Sequence, residues 1–268
     1  MEKQPLFELK NLSFSYPRSS RLAVEGASFL LYPGEIFGLV GESGSGKSTL
    51  AKILCGRYAA PAGQLFYGGK DTAHLSFAER KAWRQSAQLV SQSASASLSP
   101  RMSVQKILEE PFRIVGTYRQ KDARAARILE LIHAVGLSGE HLSRLPGELS
   151  GGQRQRVALA RSMAMEPKYL VADEPVSSLD ASLQAQVLAL LLEQRKKDGM
   201  GVLFIAHDLG LVQQFCSRVG VMRKGRIVEL ARTEELFDAP QHPYTKRLLA
   251  ARLSPDPATP GHFLLASK

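Results

Sequence analysis

Cysteine is scarce in this sequence. Only Cys55 and Cys216 occur in 268 residues, and they stand far apart. That spacing excludes a disulfide framework, argues against a cysteine metal site, and fits a reducing compartment. Long apolar runs are missing too. No stretch approaches the roughly 18 apolar residues of a membrane-crossing helix, although 44% of residues are hydrophobic, an ordinary share for a globular chain. The opening MEKQPLFELK lacks the basic-then-apolar pattern of a secretory leader. There is no internal repeat and no heptad run long enough for a coiled coil. Acidic residues are outnumbered: 25 Asp and Glu stand against 35 Lys and Arg, a formal charge of +10. Such a surplus suits nucleic acid, an anionic membrane surface, or a merely solvated basic face. The length allows one large α/β domain with a lobe, or two small domains.

Two glycine-rich motifs are present. GESGSGKST runs from Gly41 to Thr49. Gly41, Gly44 and Gly46 allow a tight turn that aims successive N–H groups inward at an anion, across Glu42, Ser43 and Ser45. Lys47 then reaches terminal phosphates, and the Ser48 hydroxyl can ligate Mg²⁺. The apolar run Ile36–Val40 before the loop reads as a buried strand, and residues 47–57 read as a helix whose N-terminus faces the anion. LSGGQ at 149–153 opens another helix. Ser150 is a good N-cap, and Gly151, Gly152 and Gln153 leave N–H groups free for a phosphate. A chance SGG linker would not run straight into the apolar-patterned stretch Val157–Met163. The second motif has no evident work at a nucleotide held by its own chain. It makes sense if it closes over a nucleotide held by another subunit.

With this pair of motifs the chain resembles the ATP-binding-cassette (ABC) family over about residues 6–250. The resemblance implies an α/β fold of the P-loop NTPase ABC type, with a RecA-like core, an antiparallel β-subdomain and a helical subdomain. It implies ATP and Mg²⁺ as ligands. Asp173, ending the apolar strand Tyr169–Ala172, would hold the metal through water or Ser48. Glu174 would orient and deprotonate the attacking water. An isolated Asp-Glu pair after a strand would read as a helix N-cap instead. His207, after the strand Val202–Ala206, matches the family's switch histidine at the γ-phosphate. Gln92, after the strand Ala87–Val90, matches the glutamine that senses Mg²⁺ and the γ-phosphate. Ser178, Leu179 and Asp180 match the loop that crosses to the other subunit. Tyr16 matches the aromatic residue that stacks on adenine, although a lone Tyr near an N-terminus is usually just packed.

Residues 6–32 predict short strands in an antiparallel sheet, and the strands beside the motifs predict a parallel core. Val104–Val115 and Ala123–Val135 predict helices of the inserted lobe, about 93–153. Leu183–Leu192 predicts a further helix, and Val219–Glu229 a hairpin turning at Lys224-Gly225. The nucleotide-binding domain spans 1–240 on this reading, with a short extension at 241–268. EPVSSLD, QAQVLALL, FIAHDL and above all HPYTKRLL at 242–249 are similar to the ATPases of peptide and nickel importers, and to their second, F-type member. Many such ATPases carry a cysteine-rich iron–sulfur segment after HPYT. No cysteine follows Cys216 here, so this chain cannot hold that cluster by itself.

The resemblance implies a dimer, with itself or a second ATPase, and two transmembrane permease subunits. It implies an extracytoplasmic binding protein acting indirectly, and a peripheral place on the cytoplasmic face of the membrane. The surface around Leu98–Met102 is the expected permease contact. The stretch there reads SASASLSPRMSV where DPYASLNPRMTV is usual, which bears on the permease served. The rival reading is a repair or ribosome-associated ATPase of the same fold. Only the basic charge favours it, so no nucleic-acid partner is expected.

Overall fold

A computed structural model describes residues 4–91, 97–176 and 179–253. Gln92 and Ser178, both singled out above, lie outside the described residues. The chain opens with β1 (Phe7–Ser15), β2 (Leu22–Leu31), β3 (Ile36–Val40), α1 (Lys47–Leu54), β4 (Leu65–Tyr67), β5 (Lys70–Asp71), α2 (Phe77–Ser86) and β6 (Ala87–Val90). Helices α3 (Val104–Val115), α4 (Lys121–Ala134) and α5 (Gly151–Met163) follow in succession. Then come β7 (Tyr169–Asp173), α6 (Ala181–Asp198), β8 (Gly201–Ile205), α7 (Leu209–Phe215), β9 (Arg218–Arg223), β10 (Arg226–Arg232), α8 (Thr233–Asp238) and α9 (Pro243–Leu253).

Two sheets organise these elements. One is antiparallel, in the order β2-β1-β4-β5, and the other has six strands in the order β10-β9-β3-β8-β7-β6. In the larger sheet β3 pairs parallel with both β8 and β9, and β7 pairs parallel with β6 and β8; β10 alone runs antiparallel, against β9. Side chains alternate across a strand, and here both faces are covered. Val202 and Phe204 of β8 join one core cluster, which also takes α3–α6. Leu203 and Ile205 join the other, shared with the antiparallel sheet and α1. β7 divides likewise: Leu170 and Ala172 on one side, Tyr169 and Val171 on the other. Burial on both faces explains why these strands read as continuous apolar runs.

Local chemistry sets the helix ends. Ser103 caps α3, accepting the Lys106 N–H, and Gly116 closes it at φ 83°. Asp180 caps α6, and Gly199 ends it in the left-handed region. α6 therefore runs eight residues more than the apolar pattern of 183–192 indicated, two at its start and six at its end, because Ala181-Ser182 and the polar EQRKKD carry no apolar stripe and only the caps mark its limits. α1 stops at Leu54 rather than 57, since the chain turns through Gly56 at φ 64°. The predicted hairpin is present, with Lys224 at φ 46° and Gly225 at φ 87° forming its turn.

One expectation is corrected. Leu98 is buried in the larger core cluster, at 4% exposure, and is not part of a contact surface. Ser97, Ser99, Pro100 and Arg101 around it are exposed. An apolar residue in a polar stretch is drawn inward by its own burial, which is worth about 1.5–3 kcal/mol.

Candidate functional site

The loop Gly41–Gly46 leaves β3 and enters α1, so the parallel sheet aims it at one edge. At its two ends, Gly41 and Gly46, its neighbours admit no side chain. A Cβ on Gly41 would stand 2.0 Å from the Met222 carbonyl oxygen, and one on Gly46 would stand 2.3 Å from that of Ala23. Both glycines also have positive φ, at 146° and 110°. The β9–β10 turn supports the loop from outside, as the Gly225 N–H donates to the Ser45 carbonyl at 2.8 Å.

Lys47 is folded into this loop. Its Nζ donates to the carbonyls of Gly41 at 2.7 Å and Glu42 at 2.9 Å, and to Ser45 Oγ at 3.3 Å. Burial lowers the Lys47 pKa, opposed by the charges of Asp173, Glu174 and Glu42. Asp173, at the end of β7, is 7% exposed. Burial raises its pKa, partly offset by a hydrogen bond from Ser48, while the Glu174 charge raises it further and Lys47 lowers it. A buried carboxylate with a second one beside it favours any cation that enters.

Glu174 stands in the left-handed region at φ 53°. That conformation costs a side-chain-bearing residue on the order of 1–3 kcal/mol and persists only where surroundings enforce it. Here the Glu174 N–H donates to the Ile205 carbonyl at 2.9 Å, and Gln155 Nε2 donates to the Glu174 carbonyl at 3.0 Å. His207 brings Nδ1 to 3.5 Å from Glu174 Oε2. The sequence indicated neither the turned backbone nor the Gln155 link, although Gln155 stands only two residues past the end of LSGGQ.

A cleft of about 360 Å³ collects Tyr16, Ser43, Gly44, Gly46–Thr49, Asp173 and Glu174, with Arg21 and Lys224 on its border. Tyr16 is held there by a 2.9 Å hydrogen bond between its hydroxyl and Thr49 Oγ1, and edge-on to Phe14 and Tyr58. The cleft thus joins the β1–β2 turn, the glycine loop and the end of β7 in one space. A smaller cavity of about 190 Å³ lies between α4, α5 and α6. It has neither a glycine loop nor an Asp-Glu pair at a strand end.

The LSGGQ residues line neither space. Ser150 Oγ accepts the Gln153 N–H at 3.2 Å, and Gln153 Oε1 accepts the Ser150 N–H at 2.9 Å, a reciprocal cap on α5. Gly151 faces open space. Asp180 is occupied as an N-cap too, accepting the Leu183 N–H at 3.0 Å. The structure therefore gathers Tyr16, the 41–49 loop, Asp173 and Glu174, sets His207 beside Glu174, and leaves Ser150–Gln153 and Asp180 apart from their own chain's cleft.

A family model described as ABC transporter matches residues 24–177. The chain is 43% identical over 261 residues to the dipeptide transport ATP-binding protein DppF of Lactococcus lactis subsp. cremoris (strain MG1363), covering 96% of this chain and 84% of that one. It is 44% identical over 258 residues to the oligopeptide transport ATP-binding protein OppF of Bacillus subtilis (strain 168), covering 95% and 84%. Among solved structures it is similar to the ATP-binding cassette MJ0796, a dimer in a post-hydrolysis state bound to ADP and Pi, at a TM-score of 0.77 and 27% identity, covering 85% and 98%. It is also similar to cbiO1 from Clostridium perfringens, part of the cbiONQ transporter complex, at 0.75 and 26%, covering 94% and 96%.

Proposed function

The chain belongs to the ABC transporter family, and from that premise we propose that it is the ATP-hydrolysing subunit of an importer, working as a dimer of cassettes beneath a membrane permease. The observation that carries this reading is the division of the two glycine motifs. One forms a cleft with Asp173 and Glu174, while the other is capped, open and apart from that cleft. A nucleotide held at Lys47 of one cassette is then closed over by Ser150–Gln153 of another.

Each residue has a definite task on this reading. Amides of Gly44–Ser48 cradle the phosphates, and Lys47 moves its charge from the loop carbonyls to the terminal phosphates. Tyr16 supports the base. Ser48 and Asp173 offer the hard oxygen donors that suit Mg²⁺, and they already share a hydrogen bond. When bound, that ion neutralises charge on the phosphate oxygens. Glu174 Oε2 accepts the proton of the attacking water, and the left-handed backbone fixes where that oxygen stands. His207, with Nδ1 at 3.5 Å from that oxygen, orients Glu174 and contacts the γ-phosphate. Gln92 and Ser178 keep the roles assigned from sequence, sensing the γ-phosphate and crossing to the partner.

The relatives are named for oligopeptides and dipeptides, which supports peptides as the cargo over nickel or metal chelates. No helix among the described residues is long and apolar enough to cross a membrane, and the cargo's path across it is assigned to separate permease subunits. A binding protein delivers cargo from the far side. On this view the chain sits peripherally on the cytoplasmic face, where each Lys or Arg near anionic lipid adds about 1 kcal/mol.

Co-expression with the neighbouring permease genes is expected to bring the chain down with membranes. Substituting Ser99, Pro100 and Arg101 together should abolish that association and leave ATP affinity unchanged. Hydrolysis stimulated by nucleic acid, with steeply salt-dependent binding and no permease association, would overturn the transport reading.

A further inference from the structure

The HPYT element at 242–245 reaches the phosphate loop. Tyr244, 3% exposed, lies at the start of α9, yet its hydroxyl accepts the backbone N–H of Glu42 at 3.1 Å. These residues are 202 apart in sequence. The peptide unit that ends in this N–H carries the Gly41 carbonyl, which Lys47 Nζ holds at 2.7 Å, and the same Nζ holds the carbonyl of Glu42 itself at 2.9 Å. One residue of the loop thus connects the tyrosine hydroxyl to the lysine ammonium.

The tyrosine is itself held on three sides. Its own N–H donates to His242 Nδ1 at 3.1 Å. The Glu229 carboxylate of β10 accepts the N–H groups of Gln241 at 2.8 Å and His242 at 2.9 Å, fixing the turn into α9. The Arg223 guanidinium lies 4.9 Å from the centre of the tyrosine ring. Arg223 ends β9, directly before the Lys224-Gly225 turn that braces Ser45. The loop is therefore supported at Glu42 by the C-terminal helix and at Ser45 by the hairpin, and both supports meet at the Arg223–Tyr244 contact.

We propose that Tyr244 is a positioning residue of the nucleotide site, holding the Glu42 peptide so that the loop and Lys47 keep their phosphate-ready arrangement. A loop that visits this arrangement only part of the time binds more weakly in proportion to that fraction. Tyr244 raises the fraction without touching nucleotide. The coupling is reciprocal: nucleotide that rigidifies the loop also tightens the docking of α9. Anything that engages the C-terminal segment is then felt at the ATP site.

The inference rests on the proposed ATP site. Tyr244→Phe keeps the ring, its packing and the arginine contact, and removes only the hydroxyl. A single hydrogen bond of this kind is expected to change ATP affinity by about 3- to 10-fold. We expect the purified full chain with Tyr244→Phe to show KM and Kd for ATP raised by that factor, with kcat at saturating ATP within about twofold of the parent. Hydrogen exchange at the Glu42 amide should be faster in the variant without nucleotide. A residue that merely packs gives the opposite split: unchanged Kd and a lowered melting temperature, which would overturn the proposal. Glu229→Gln loosens the same turn while leaving the tyrosine in place. It should raise KM in the same direction, and an unshifted KM there overturns the proposal even if Tyr244→Phe does not fold. A parent chain that binds no ATP would defeat the ATPase reading itself. A parent that binds, with a variant that binds equally well, defeats only this inference.

Discussion

Glu174→Gln should bind ATP like the parent and hydrolyse it about 10²–10⁴ times more slowly, the usual loss when a general base is removed. That range is about 2.7–5.4 kcal/mol of transition-state stabilisation. The substitution is nearly isosteric, so the features that set residue 174 survive it. The left-handed backbone at φ 53°, the bond from its N–H to Ile205 and the bond from Gln155 to its carbonyl all involve main-chain atoms. What changes is the ability of the side chain to take a proton, and the charge that faces His207 at 3.5 Å. Melting temperature should therefore move little while turnover collapses. On the proposed mechanism hydrolysis is the step that separates the cassettes, so the variant should accumulate as an ATP-bound dimer in size-exclusion chromatography. Near-normal turnover by Glu174→Gln would remove Glu174 from its assigned role.

Lys47→Ala should weaken ATP binding by about 1.5–3 kcal/mol, the range for a charge-assisted hydrogen bond, or roughly 10- to 150-fold. Two effects contribute, and they can be separated. The ammonium braces the loop through the Gly41 and Glu42 carbonyls, and on the proposed mechanism it also meets the terminal phosphates. Loss of the brace alone weakens ATP and AMP equally. Loss of a terminal-phosphate ligand weakens ATP and spares AMP. Calorimetry with both nucleotides should show the second pattern. Removing this charge also takes away a cation that lowers the Asp173 pKa, so the Asp173 carboxyl should titrate higher still in the variant.

Much of the site can be read from the sequence because its chemistry sits at strand ends. Ile36–Val40, Tyr169–Asp173 and Gly201–Ile205 are apolar runs buried on both faces. Each stops where a polar residue, a glycine loop or a helix start appears. What escaped was short, polar or distant. β4 and β5 have three and two residues, too few to show alternation. α2 keeps only Trp83 buried, so no apolar stripe announces it; its capping box of Ser76 and Glu79 is the signal that would have found it. Leu98 read as surface because its segment follows the nucleotide-sensing Gln92 and could relay its movement, and only its packing shows otherwise. The turned backbone of Glu174 has no sequence mark, since left-handed positions are expected at glycine or asparagine. Tyr244 lies far along the chain from the loop it supports, and no local pattern can reveal that pairing.

On the proposed function, Leu149–Gln153 of one cassette closes on the phosphate loop of another. Both native cysteines are buried. Burial pushes the Cys55 thiol up to about 12 and the Cys216 thiol up as well, which leaves them unreactive. Gly147, just before the motif, faces open space without positive φ, so Gly147→Cys is tolerated and can carry a benzophenone. Irradiating that protein in the Glu174→Gln background, with the permease complex present, and sequencing the captured peptide tests the claim. A phosphate-loop peptide from a second cassette should be captured, at dimer mass, only when ATP is present. Capture independent of ATP, or capture of the chain's own 41–49 segment at monomer mass, would contradict it.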